Sequence, residues 1–346
     1  MGLIQGFFMG KLRAAIVLPV CLMVGCEEGA LPSGATDSNA ASQELHGFIQ
    51  VVKSNLVYVE GGEFLMGDYG VQHGPERLPY DLDKDSKPLH KVELSSYSIN
   101  KYKIANEEFD FYLKVNGLAL RQDAGDDFNV VSSAPTTPAH MDWFEAEQYC
   151  GWLAKISNLP FGLPTEAQWE YAARSRGQFL MVATNDGTYK ITEDSATEYD
   201  GPRGINISTT WDRRAFAKEL GWKTQGLTPL PVDRFPPNPL GVYAMSDNGF
   251  EWINDWYDPT YYQYSPLQDP QGPDRPIYKD AISNDKYAKV LRGVDYANPM
   301  WGGGVNVHRY YKSPDGTEPG FSNLGDQLIL ENKTARCVVN SPHPLK

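Results

Sequence analysis

The sequence predicts a single loop-rich α+β domain of about three hundred residues behind a short N-terminal export segment. Short alternating runs and stretches of helical spacing are mixed along the chain. Gly 32 and Pro 25, beside Trp 8 and Tyr 20, describe many loops around a core that leans on aromatic side chains. No internal repeat and no interior linker divides residues 51–346, which are expected to form one domain.

Val57-Tyr58-Val59 and Phe64-Leu65-Met66-Gly67 read as short strands joined by the turn Gly61-Gly62. Residues 68–88 are polar with several prolines and read as a surface loop. His90 to Ile99 alternates polar and apolar residues and predicts a strand. Phe109, Tyr112 and Leu113 share a helical face that Gly117 ends. Asp142 with Glu145 three residues on has the form of a capping box. The helix that follows places Ala146, Tyr149, Cys150 and Leu153 inward. Thr165 with Gln168 marks another helix start, with Trp169, Ala172 and Ala173 facing the core. After residue 177 periodicity is poor, apart from a helix expected at Arg213 to Leu220.

Lys11 and Arg13 precede the uncharged stretch Ala14 to Gly25, too short for a span of ~20 apolar residues and shaped like a secretory signal. Met23-Val24-Gly25-Cys26 resembles the lipobox of bacterial lipoproteins, with Met23 in place of the usual leucine. That resemblance implies a signal at residues 1–25, lipid on Cys26 and, from Glu27-Glu28, an outer-membrane anchor facing the periplasm. An ordinary signal with an incidental cysteine is the alternative. Residues 26–50 are expected to form the lipidated start and a flexible tether, because 29–45 hold little that is apolar. The formal charge is −13, and loss of the signal makes it more negative still. Such a field repels phosphate backbones and excludes nucleic acid as partner, while favouring basic partners or bound cations. Cys150 and Cys337, well separated in sequence, are a disulfide pair in an oxidising compartment or else two buried thiols.

Several segments then resemble, in order, the formylglycine-generating-enzyme domain of the sulfatase-modifying-factor family. They are Gly61 to Gly67, Tyr149-Cys150-Gly151-Trp152, Leu163 to Arg174, Pro231 to Asn238 and Gly241 to Met245. Asn248-Gly249-Phe250-Glu251-Trp252, Leu291-Arg292-Gly293 and Ala335-Arg336-Cys337-Val338 complete the series. The resemblance implies an α+β fold related to C-type lectins and a Cys150–Cys337 bridge. It also implies a structural calcium loop using Asn248, Gly249 and Glu251, for which backbone and side-chain oxygens are the right donors. The alternative for that loop is a turn whose Glu251 pairs with an arginine.

Formylglycine generation, as the resemblance implies it, takes a cysteine pair soon after the Arg-Gly motif to hold copper, since soft thiolates select Cu(I). Residues 293–304 contain no cysteine, and Val294-Asp295 replaces the Gly-Ser of the family motif. No copper is expected, and no cysteine-dependent formylglycine generation. The chain therefore resembles a pseudoenzyme that binds another protein, in the manner of an immunity lipoprotein against a secreted antibacterial effector or a component of a surface machine. The alternative is a periplasmic oxidoreductase of the siderophore-maturation type, with Asp295, Trp301, His308 and Arg309 as candidate catalytic residues.

Overall fold

A computed structural model describes residues 34–345 except 123, 126, 194–200, 281–285, 298–303 and 320–325. The chain divides into two compact units, Met1–Leu45 and His46–Lys346. Of the first, residues 34–45 are described, as the beginning of helix α1 (Gly34–Ser54). Residues 34–50, expected as a flexible tether, are thus helical. Leu45, Phe48, Ile49 and Val52 recur at helical spacing, almost all of them just past the apolar-poor stretch 29–45. Among the described residues no helix is long and apolar enough to cross a membrane.

In the second unit β1 (Leu56–Val59) and β2 (Gly62–Met66) flank Gly61, where a Cβ would lie 2.2 Å from the Leu94 carbonyl oxygen. The short helix α2 (Gly70–His73) interrupts the loop that follows. The strand expected from His90 to Ile99 is broken in two, β3 (His90–Leu94) and β4 (Tyr97–Asn100). At the break, Asp269 accepts hydrogen bonds from the Ser95 N–H and hydroxyl. The break lets the strands serve different sheets: β3 pairs with β2, and β4 with β1.

Helix α3 (Asn106–Asn116) ends at Gly117, whose φ of 64° suits a residue without Cβ. The brief α4 (Phe128–Val131) precedes α5 (Trp143–Ser157), where Asp142 and Glu145 close the expected capping box. After β5 (Phe161–Gly162), α6 (Glu166–Ala173) starts from the reciprocal Thr165–Gln168 cap, with every one of its side chains buried. Helix α7 (Thr210–Leu220) is capped by Thr209 and begins before the expected Arg213.

The C-terminal half supplies β6 (Gly249–Trp256), the ribbon β7 (Lys279–Asp280) with β8 (Lys286–Tyr287), β9 (Lys289–Val294) and β10 (Tyr310–Lys312). A second ribbon, β11 (Thr317–Pro319) with β12 (Asp326–Leu328), precedes β13 (Lys333–Thr334) and β14 (Val338–Val339). The larger sheets run β1-β4-β14-β5 and β10-β9-β6-β13, the latter with β13 parallel to β6. Helix α6 packs on β2, β3, β6 and β9. Trp169 on α6, with Val92, Ile99, Ile253, Val290 and Val338 from the strands, forms the centre of the core.

Candidate functional site

The region after Arg292, where the resemblance places catalysis, grows out of a buried ion-pair chain. Glu166 and Glu170 lie one turn apart on α6 and so share a face. Arg292 on β9 donates to Glu166 at 2.8 Å and to Glu170 at 2.9 Å. Arg174 donates to Glu170 at 2.7 Å. Arg309 grips both oxygens of Glu166, at 2.8 and 2.9 Å, and its remaining donors reach the Asp85 and Asp258 carbonyls. The rings of Tyr262 and Tyr257 cover its guanidinium, with centroids at 4.4 and 5.1 Å. Burial alone would raise the Glu166 carboxyl, but Arg309 and Arg292 outweigh it and hold it below the usual range. Asp255, which accepts the Glu166 N–H, is pushed up to about 8 by burial and by the Glu166 charge. Arg309 is therefore committed to Glu166 and two backbone carbonyls, while its side chain also borders a cleft beside Tyr310.

His308 closes a turn, its N–H donating to the Val305 carbonyl, and makes its side-chain contacts apart from the ion-pair chain. Its Nε2 lies 2.9 Å from the Tyr80 carbonyl, an acceptor that fixes the proton on that nitrogen, and Nδ1 lies 3.5 Å from the Tyr310 hydroxyl. Asp295 is half-buried, and its Oδ1 accepts from the Tyr296 N–H at 2.7 Å. The Tyr310 hydroxyl is raised by burial first and by the Asp295 charge second, which places Asp295, Tyr310 and His308 in one neighbourhood. Trp301 lies outside the described residues, as does Cys26. The cleft beside Tyr310, of about 650 Å³, is lined by Asp85, Tyr257, Arg309, Tyr311 and Lys312. Hydrogen bonding and modest proton transfer are what such groups offer. Among the described residues no cluster of His, Cys, Asp and Glu has the makings of a metal site.

Of the calcium ligands expected from the resemblance, Asn248 turns to other partners, while Gly249 and Glu251 converge on an ammonium. Asn248 Oδ1 accepts from the Leu230 N–H at 2.8 Å and from Arg213 at 3.3 Å. Glu251 turns to other partners: Arg336 at 2.6 and 2.8 Å, Lys103 at 2.7 Å and Trp169 Nε1 at 3.0 Å. The Gly249 carbonyl accepts from Lys103 Nζ at 2.8 Å, and the Thr334 hydroxyl lies 3.4 Å from the same ammonium. The charged end of Lys103 thus sits where these oxygens converge, fully buried. Burial lowers this ammonium and Glu251 restores it in part, leaving it at about 8, so it is a cation at neutral pH. Burial would raise the Glu251 carboxyl, but Arg336 and then Lys103 hold it at about 2. The donor set does not fit a calcium ion while Lys103 is there. The correction has a plain cause: the oxygens already have cations.

Cys150 on α5 and Cys337 beside β14 form a disulfide, with Cα atoms 5.7 Å apart and a sequence separation of 187. A loop that long is worth roughly 5 kcal/mol on the chain-entropy account. It also means that neither thiol of the folded domain is available as a soft metal ligand.

Comparison with known proteins bears on the same residues. The family described as the sulfatase-modifying factor enzyme 1-like domain matches residues 44–323. The chain belongs to that family. The formylglycine-generating enzyme of Streptomyces coelicolor is 28% identical over 281 residues, covering 69% of this chain and 78% of the enzyme. The serine/threonine-protein kinase pkn1 of Chlamydia caviae is 25% identical over 247 residues, 66% of this chain but 32% of the kinase. This chain therefore spans about a third of that relative. Among solved structures, PvdO from Pseudomonas aeruginosa is similar with a TM-score of 0.52 and 21% identity, over 82% of this chain and 93% of PvdO. That likeness shows the shared fold of the sulfatase-modifying factor domain.

Sequence reasoning missed the ion-pair chain of this family member. Its one local signal is Glu166 and Glu170 at i and i+4 astride Trp169 on an inward face, an arrangement that demands cations from elsewhere. Lys103 has no local signal, since its partners lie well over a hundred residues away.

Proposed function

We propose that this chain is a non-catalytic member of the sulfatase-modifying factor family that binds another protein, anchored in a bacterial envelope by lipid on Cys26 and facing the periplasm. The observation that carries the reading is the fate of the cysteines. Residues 293–304 have none, and Cys150 and Cys337 are joined to each other. The thiolate pair that the resemblance associates with copper has no counterpart in the folded domain. Loops on a rigid frame are a common place for recognition residues, and the acidic balance steers basic partners. An immunity protein or a surface-machine component fits this description equally well.

The test is direct. Purified chain, copper-loaded and aerated, is mixed with a sulfatase-derived cysteine peptide, and aldehyde is followed by mass spectrometry. No aldehyde is expected, and stoichiometric conversion sinks the reading. The oxidoreductase alternative is separated by metal analysis of chain purified without chelator. Bound iron or copper that disappears in His308→Ala selects the enzyme.

A further inference from the structure

Beside α1 and α3 lies a second cleft, of about 490 Å³, a size ordinary for a binding site. Phe48, Tyr102 and Phe111 supply its aromatic wall, and Glu107, Glu108 and Asp233 its charge. The wall is fixed: Phe48 stacks on Phe111 with centroids 4.4 Å apart, and both rings lean on Trp152 at 5.5 and 6.4 Å. The cleft's lysine, Lys103, lends its stem alone, because its ammonium points inward to Glu251 and Gly249. Glu108 accepts one hydrogen bond, from the Ala105 N–H at 3.1 Å, and no lysine or arginine among the described residues pairs with it.

A carboxylate in that setting is costly as an anion. Burial pushes Glu108 up to about 7; the Ala105 N–H resists, and the neighbouring Glu107 charge adds to the rise. A cation arriving in the cleft removes the cost, and aromatic faces attract the same charge. Long basic side chains bring an apolar stem as well as a charged head, which suits a wall of rings beside a carboxylate. The formal charge of −13 on the whole chain draws basic proteins toward it.

We propose that this cleft receives a lysine or arginine side chain of a partner protein, its charged head against Glu108 and its stem against Phe48, Phe111 and Tyr102. The proposal rests on the protein-binding reading above and names the chemistry of its partner.

Calorimetric titration of the full chain with acetyl-Gly-Lys-Gly-amide, and with the same peptide carrying norleucine for lysine, tests it. The lysine peptide is expected to bind at least tenfold tighter. Glu108→Gln, which keeps the Ala105 hydrogen bond, should erase that difference, and Phe111→Leu should weaken lysine binding about threefold. Carbodiimide coupling of the lysine peptide to the unaltered chain, mapped by mass spectrometry, should mark Glu108 and needs no variant to fold. Equal binding of the two peptides, undiminished binding by Glu108→Gln, or coupling confined to other carboxylates overturns the proposal. So does n-butylammonium binding as tightly as the peptide, which reassigns the cleft to small amines. Failure here leaves the non-catalytic reading standing, whereas aldehyde formation in the earlier assay sinks that reading and leaves the cleft's preference measurable.

Discussion

Glu251 and Glu108 are carboxylates at either end of the influence of one short segment, Lys103 to Glu108, and burial acts on both. The first is held at about 2 and the second is pushed up to about 7. Burial drives the two in the same direction, so the difference comes from company. Arg336 and Lys103 neutralise Glu251, while Glu108 has a single amide N–H. The contrast separates a group that holds the fold from one that awaits a ligand. A buried anion with its cations supplied is structure; a half-buried anion without them, at the wall of a cleft, is an opening for chemistry from outside.

The contrast breaks most visibly at its settled end. Glu251→Gln leaves Lys103 and Arg336 buried with less than their full countercharge, and should cost roughly 3–5 kcal/mol in urea unfolding. A loss under about 1 kcal/mol would show that Glu251 is not the hub described. Next comes the cation itself. With Lys103 in place, the thermal midpoint should be unmoved by calcium or by chelator. In Lys103→Ser the same oxygens lose their ammonium, and calcium should stabilise that variant by about 2.7 kcal/mol at one hundred times its Kd. Calcium-dependent melting of the unaltered chain would refute the assignment of Lys103 as resident cation.

Acid and base separate the two carboxylates further. A carboxyl held low binds its proton late, so the stability that Glu251 brings is complete above the unfolded value near 4.5 and drains as pH falls toward 2. Glu108 has the opposite sign. Its folded form binds the proton more tightly than the unfolded chain, so it costs stability as pH rises from about 4.5 through 7. Glu108→Gln should therefore be more stable than the parent at pH 8, by roughly 1–2 kcal/mol, and no more stable at pH 4. Chemical unfolding at both pH values checks this. The smallest effect belongs to a pair exposed to water. Lys91 and Glu63 are 53% and 54% exposed, so Lys91→Ala should change stability by roughly 0.5 kcal/mol or less.

Legibility in the sequence follows the range of the interaction. The boxes at Asp142–Glu145 and Thr165–Gln168, and the stop at Gly117, are written within a few residues and are found where the spacing puts them. The break at Ser95-Ser96 leaves only a faint trace, a shift of the apolar residues from even positions (Val92, Leu94) to odd ones (Tyr97, Ile99), and the device that pins it, Asp269, is remote. The calcium expectation fails for a related reason. Asn248-Gly249-Phe250-Glu251 has suitable oxygens in a row, but Lys103 and Arg336, which claim them, come from distant segments. His308 and Arg309 are neighbours in the chain with different fates, one half-exposed and one locked into a buried ion pair, and a sequence alone gives them the same weight. The cysteine pairing is legible because the family resemblance and the expected oxidising compartment point to the same residues.

One arrangement has a consequence for how the molecule is made. In the sheet order β1-β4-β14-β5, the strand nearest the C-terminus fills the gap between two that were synthesised far earlier. Until Val338 and Val339 arrive, β4 and β5 present open edges, which invite pairing with other chains. Assembly of this sheet cannot keep pace with the nascent polypeptide; it must wait for the tail to be delivered. The sheet therefore closes in a single late step, once its last strand is free to slot between β4 and β5.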